Sequence, residues 1–231
     1  MSQPAVSLRM DFTRKEVVDT HAVPEVASPV AGIWRRLIER EGGEVARATS
    51  IVRYAPGTRF PPHEHALGEE FLVLQGSFAD EHGTYPAGTY VRNPAGSSHG
   101  PFTAVADEGG GCILFVKLRQ LDPADQVRVV VDSRARERDG QWGPGAFPGL
   151  RNLLLGGFGS ERTVLVRWAP GTHIPEHTHA SVEETLVLEG EIEDDEGRYP
   201  AGTWFRVPTG STHAPRSPRG ALILIRVGHA F

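Results

Sequence analysis

The chain repeats itself. The run Gly57-x5-His63-x-His65-x3-Glu69-x6-Gly76, then Gly88-x5-Pro94-x-Gly96-x2-His99, returns as Gly171-x5-His177-x-His179-x3-Glu183-x6-Gly190, then Gly202-x5-Pro208-x-Gly210-x2-His213. Every position is displaced by 114 residues, and between 53–101 and 167–215, 28 of 49 residues are identical without a gap. Such a chain must fold as two copies of one module. The expected division is 1–122 and 123–231, each half large enough to bury a core of its own. Each copy carries three histidines and a carboxylate at fixed spacing.

The rhythm between these markers is that of an all-β chain. Short apolar runs at 49–55, 71–74, 89–93 and 113–118 are punctuated by Gly and Pro, and 164–169, 185–188, 203–207 and 222–227 repeat them. Further strands are expected near 8–12 and 127–131, exchanged between the modules. Residues 123–127 could make one helical turn. Residues 132–149, with an arginine run followed by Gly and Pro, read as a solvated linker.

On a strand, residues two apart face the same way. His63 and His65 therefore share a face, as do His177 and His179. Glu69 and Glu183 follow on the next strand in the same parity, which turns Glu70 and Glu184 away. His99 and His213 close each set from a strand end marked by Pro and Gly. Six of the ten histidines occupy these slots, and a doubled accident at constant offset is hard to defend. The pattern is that of a metal site presented twice. Three imidazoles and a carboxylate suit iron, zinc, manganese, nickel or cobalt without selecting among them. His21, His82, His173 and His229 have no counterpart and are expected to be solvent-facing or structural.

Both copies match the two motifs of the cupin superfamily, small double-sheet jelly rolls. The wording Arg53-Tyr-Ala-Pro-Gly57, Glu69-Glu70-Phe-Leu-Val-Leu, Tyr85-Pro-Ala-Gly-Thr89 and Arg92-Asn-Pro-Ala-Gly-Ser-Ser-His99 resembles the ChrR-like cupin family, named after a domain of bacterial anti-sigma factors. The resemblance implies two tandem cupin (double-stranded β-helix) barrels. It implies one divalent metal per module, Fe(II) or Zn with Mn or Ni also open. The ligands would be His63, His65, Glu69 and His99 in the first module, and His177, His179, Glu183 and His213 in the second. The helical zinc domain through which those anti-sigma factors hold their sigma factor has no counterpart here, since Cys112 is the one cysteine. Sigma binding does not carry over.

That cysteine sits in an apolar run and reads as a buried thiol, and it excludes an intrachain disulfide. A net charge of −5 without a basic stripe excludes the footprint of nucleic-acid binding. No apolar run suggests a membrane span. The N-terminus lacks the pattern of a secretory signal, so a cytoplasmic location is expected. The expected partner is a small-molecule substrate or ligand; the oligomeric state, a homodimer among the options, stays open.

The leading functional expectation is an enzyme. Around an octahedral ion four protein ligands leave two positions free, an arrangement that cupin dioxygenases use on small oxygenated molecules, by resemblance. The alternative is a non-catalytic zinc-binding sensor or regulator with a closed four-coordinate site; a third reading is a barrel that binds a small acid or sugar. The two modules differ where a cavity would be lined: Tyr54 against Trp168, Phe71 against Thr185, Tyr90 against Trp204, Asn93 against Val207. The turn through Gly68, replaced by Val182, points to the first module as catalytic and to the second as narrower, with Tyr90 and Trp204 as pocket walls. Arg92 and Arg206, inside strands, would either be salt-bridged or anchor an anionic substrate.

Overall fold

A computed structural model describes residues 5–105 and 110–228; His229 and the first four residues lie outside them. The chain forms two compact units, residues 1–10 with 23–136, and 11–22 with 137–231. Both are built almost wholly of antiparallel strands. The strands at Thr89–Asn93 and Thr203–Val207 fall where the Gly and Pro punctuation puts them. The others run one or more residues beyond their apolar runs, and Glu183–Asp194 continues from one sheet into the next.

In the first unit the large sheet orders Val6–Leu8, Ile33–Gly42, Ala46–Tyr54, Cys112–Leu118, Glu69–Gln75, Thr89–Asn93 and Val129–Asp132. A smaller sheet holds Gly83–Pro86, Ser77–Asp80, Phe102–Ala104 and Arg59–Phe60. Side chains of alternate residues meet in a core that includes Phe71, Val73, Phe78, Val91, Phe102, Leu114 and the buried thiol of Cys112. Glu69 and Asn93 share the parity of Phe71 and Val91, so they point into the barrel, while Glu70 and Arg92 point out of it. The motif glycine Gly76 has φ 71°, and a Cβ there would fall 1.9 Å from the Gly111 carbonyl oxygen. Its counterpart Gly190 faces Gly220 in the same way. Only glycine allows strand Glu69–Gln75 to turn there.

The second unit repeats this plan. Its large sheet runs Gly143–Pro144, Leu150–Gly156, Arg162–Trp168, Ala221–Val227, Glu183–Asp194, Thr203–Val207 and Glu16–Asp19. Its core collects Val166, Trp168, Ile174, Val187, Phe205 and Ile223.

The outermost strand of each large sheet is exchanged. Glu16–Asp19, which precedes the first module in sequence, pairs with Thr203–Val207 of the second. Val129–Asp132, which precedes the second, pairs with Thr89–Asn93 of the first. The expectation of exchange near 127–131 is met. The one placed near 8–12 is corrected: Val6–Leu8 pairs within the first unit, and the travelling strand starts at Glu16. Residues 123–127 hold a turn rather than a helical segment, and the helix lies at Ser133–Arg138. The supposed linker is thus partly ordered, with Trp142 buried, although Arg134, Arg136 and Arg138 are exposed. No helix among the described residues is long and apolar enough to cross a membrane.

Candidate metal centre

In the first unit all three histidines come from a two-stranded ribbon; in the second His177 and His213 do, and His179 follows directly, its N–H donating to the Ser211 carbonyl at 2.9 Å. His63–His65 pairs with Ser97–His99, setting His63 opposite His99, and His177 stands opposite His213 in the same way. Cross-strand pairing with two-residue parity brings three imidazoles to one point. The ligand-capable nitrogens of His63, His65 and His99 lie within 4.8 Å of one another, and so do those of His177, His179 and His213. Nε2 of His65 and Nε2 of His99 are 2.6 Å apart.

The carboxylates arrive from the large sheet. Glu69 Oε2 lies 3.4 Å from His65 Nε2 and 3.5 Å from His99 Nε2. Glu183 Oε2 lies 3.6 Å from His179 Nδ1. The structure therefore gathers the six histidines singled out by the repeat into two groups of three, with Glu69 beside two of the first group and Glu183 beside one of the second. Glu70 stays outside, accepting from Tyr90 Oη at 2.6 Å. His21, His82 and His173 are exposed, away from both groups.

Burial sets the electrostatics. It pushes the Glu69 carboxyl up to about 7, against a hydrogen bond from Asn93 Nδ2 at 3.1 Å and the nearby His63. It also raises Glu183 to about 7, opposed by the Thr185 hydroxyl; the 18 % of the Glu183 side chain that stays accessible is consistent with its place on the wall of a cavity. Burial lowers His65 and His179 to about 4 and His99 to about 3, the neighbouring imidazoles adding to the effect at His99 and His179. Burial thus favours the neutral form of Glu69, Glu183, His65, His99 and His179 when no cation is present.

A further layer holds the third histidine. Asp80 closes the hairpin into Gly83–Pro86, where its Oδ1 accepts from His82 N, Gly83 N and Tyr85 Oη. Its other oxygen, Oδ2, faces His99 Nδ1 at 3.6 Å. Asp194 repeats the device: Oδ1 accepts from Glu196 N, Gly197 N and Tyr199 Oη, and Oδ2 stands 3.2 Å from His213 Nδ1. A cation then braces each tyrosine. Arg128 donates to Tyr85 Oη at 2.6 Å and to Asn93 Oδ1 at 3.1 Å. Lys15 donates to Tyr199 Oη at 2.8 Å and pairs with Glu196. Burial acts to raise the Asp194 carboxyl, but the hydrogen bonds from Tyr199 and His213 and the Lys15 charge outweigh it and hold the carboxyl below its ordinary value. Asp80, Tyr85, Asp194 and Tyr199 recur at the 114-residue offset, a signal that sequence reasoning left unused. The two cations differ in type and fall off that offset.

The interiors beside the two groups differ. In the first unit aromatic rings crowd the histidines: Phe102 sits 3.8 Å from His99 and Phe60 4.7 Å from His63, centroid to centroid. Phe71 packs edge-on against Phe78. In the second, Thr185 replaces Phe71, and a cavity of ≈ 200 Å³ opens onto His177, Glu183 and His213, walled by Trp168, Ile174, Phe205 and Ile223. The second unit, expected to be the narrower, holds this cavity beside its histidines despite the bulkier turn at Val182. Tyr90 and Trp204 are not among the walls; they are buried with the opposite parity. Nor does Arg92 or Arg206 await a substrate: Arg92 pairs with Asp125 at 2.7 Å and Glu70 at 3.4 Å, and Arg206 donates to the Asp11 carbonyl at 2.9 Å.

The family described as ChrR Cupin-like domain matches residues 13–122 and again 130–230. No curated protein matches the sequence. Among solved structures, a candidate dioxygenase from Nostoc punctiforme superposes with a TM-score of 0.78 at 18% identity, over 94% of this chain and 83% of the other. A candidate glyoxylate-induced protein from Pseudomonas aeruginosa gives 0.71 at 14%, over 99% and 92%. A variant of Bacillus subtilis oxalate decarboxylase gives 0.59 at 14%, over 93% and 77%. At these identities the likeness is one of fold.

Proposed function

The chain belongs to the ChrR cupin-like domain family, and we propose that it is a metal-binding bicupin acting as a non-haem metal-dependent oxygenase on a small oxygenated organic molecule. The observation that carries this reading is the second unit's group of three converging imidazoles, with Glu183 beside it, next to a mostly apolar cavity.

The residues fit a divalent ion. His63 and His177 turn Nδ1 toward the carbonyls of Pro61 and Pro175, at 2.9 and 3.2 Å. Donation there leaves Nε2 with a free lone pair. His179 Nε2 is buried with no hydrogen-bond partner, an arrangement that proteins avoid unless something else satisfies the atom. His63, His65, Glu69 and His99 would hold one ion, and His177, His179, Glu183 and His213 another. Fe(II) or Zn suits the donor set, and Mn or Ni would be accepted. When bound, such an ion supplies Lewis acidity and, if iron, activation of dioxygen. The chain supplies the rest. Asp194 fixes the ring of His213, Thr185 orients Glu183, and the apolar wall excludes water from the reacting end of a substrate.

A second reading, a non-catalytic zinc site in a sensor or regulator, is favoured for the first unit by the rings of Phe102 and Phe60 packed on its histidines. Metal analysis of protein purified without added metal or chelating resin separates the two. It is paired with oxygen consumption by the iron(II)-loaded protein on β-diketones, hydroxyacetophenones and catechols. Turnover of any of these supports the oxygenase. Four-coordinate zinc without water, and no turnover across the panel, replaces it by the regulatory reading.

A further inference from the structure

The cavity of the second unit constrains its occupant by size, charge and the placing of polar atoms. At ≈ 200 Å³ it exceeds the roughly 150 Å³ that accommodates a benzene ring in an engineered apolar cavity, so a single ring with one or two small substituents fits. Among the described residues that line it there is no lysine or arginine; the titratable ones are His177, Glu183 and His213, all in the metal group. Beyond that group the polar atoms on the wall belong to Thr185, Asn152 and Trp168, which are neutral. Asn152 Oδ1 and Trp168 Nε1 are buried without a hydrogen-bond partner. Strand register places Asn152 on the row of Val166, Ile223 and Val187, two side-chain rows along from Glu183. A ligand reaching that row meets uncharged hydrogen-bonding groups and hydrocarbon. A charge there would be desolvated with nothing to offset it.

We propose that the second unit is the substrate-binding one, and that it takes a neutral, largely apolar molecule of about one ring with a carbonyl or phenolic oxygen at one end. The oxygen faces His177, Glu183 and His213, and the uncharged body lies against Trp168, Ile174, Phe205 and Ile223. Molecules charged at both ends, such as dicarboxylates, are rejected. The orientation of the oxygen rests on the metal reading above; the cavity and its preference for a neutral body do not. Thr185 is the residue that sets this role, because the first unit carries Phe71 at the same place.

Acetophenone and benzoate match in size and differ in charge, and Trp168 on the wall reports on either by fluorescence. With chelator-treated, metal-free protein, acetophenone is expected to bind at one equivalent and benzoate at least tenfold more weakly. Thr185→Phe, which installs the side chain of the first unit, is expected to weaken acetophenone at least tenfold. Thr185→Val, which keeps the volume, is expected to retain binding. Should Thr185→Phe fail to fold, transferred nuclear Overhauser effects on the parent decide: they are expected from acetophenone ring protons to the methyls of Ile223. No binding of acetophenone at millimolar concentration, equal binding of benzoate, unchanged binding to a folded Thr185→Phe, or no effect at Ile223 each overturns the proposal. Acetophenone binding by a protein that takes up no zinc leaves the proposal standing and removes the metal reading; zinc uptake without acetophenone binding does the reverse.

Discussion

Glu69 and Glu183 are held near 7 by burial, while His65, His99 and His179 are held at 3 to 4. Moving a carboxyl from 4.5 to about 7 corresponds to roughly 3 kcal/mol against its charged form, a cost that a bound cation removes. At pH 6 the metal-free protein therefore carries Glu69 and Glu183 mostly protonated and His65, His99 and His179 neutral. Metal needs the glutamates ionised, so binding releases their protons, and His65, His99 and His179 contribute none. Calorimetry in buffers of different ionisation enthalpy is expected to show proton release on metal binding at pH 6 that falls toward zero at pH 8. Release that rises with pH would contradict the assignment of Glu69 and Glu183. Asp194 acts at one remove, through Nδ1 of His213. Asp194→Asn is expected to weaken the second site's metal affinity roughly ten- to hundredfold, as loss of such a partner commonly does, with the first site unchanged in a competitive chelator titration. The ligand candidates were legible in the sequence because spacing alone sets parity on a strand. Asp80 and Asp194 were not picked out, although they recur, because an aspartate before a Gly turn has an ordinary structural reason to be there. The cavity was not legible because it depends on which side chains meet across the barrel, and Thr185 against Phe71 is a volume difference that acquires meaning only in three dimensions.

The exchanged strands couple chain order to site chemistry. Glu16–Asp19 brings Lys15 to Tyr199 and Asp194, and Val129–Asp132 brings Arg128 to Tyr85 and Asn93. Each cation thus stands in sequence just before one module and serves the site of the other. Lys15→Met is expected to weaken metal at the second site several-fold and to spare the first; Arg128→Met is expected to do the opposite. Cobalt absorption on proteins whose other site has been disabled would resolve the two. A loss confined to the module that follows the mutation in sequence would mean that the exchange is wrong. Element existence was readable because glycines and prolines bound nearly every strand. The partner of an outermost strand was not, since an apolar run such as 129–131 fits the edge of either sheet equally well. The helix Ser133–Arg138 escaped notice because its six residues carry no apolar stripe.

Across the whole chain the two groups of histidines lie in separate units, and no residue is shared between them. Replacing His63 and His65 together by Ala is expected to remove one of two metal equivalents, measured by elemental analysis, and to leave the other in place. Independence of the sites does not extend to folding. A cut between 122 and 123, where the sequence repeat would divide the chain, strands both travelling segments. The fragment 1–122 keeps Glu16–Asp19, which belongs beside Thr203–Val207, and loses the cover of Thr89–Asn93. The fragment 123–231 keeps Val129–Asp132 and loses Glu16–Asp19. Every residue of Thr89–Asn93 and of Thr203–Val207 is buried in the intact chain, so each fragment gains an uncovered sheet edge, the kind of surface that drives association. A domain of this size loses about 4–8 °C of Tm per kcal/mol, so removing an outermost strand with its buried contacts is expected to cost on the order of 10 °C or to cause aggregation. Mixed in equal amounts during refolding, the two fragments can each return the strand the other lacks, and are expected to recover a soluble complex with two metal equivalents and a Tm near that of the intact chain. Size-exclusion chromatography and thermal scans check this. A lone fragment that is monomeric, as stable as the mixture and able to hold its metal with undiminished affinity would show that the outermost strand is dispensable, and that the exchange links the units without supporting either.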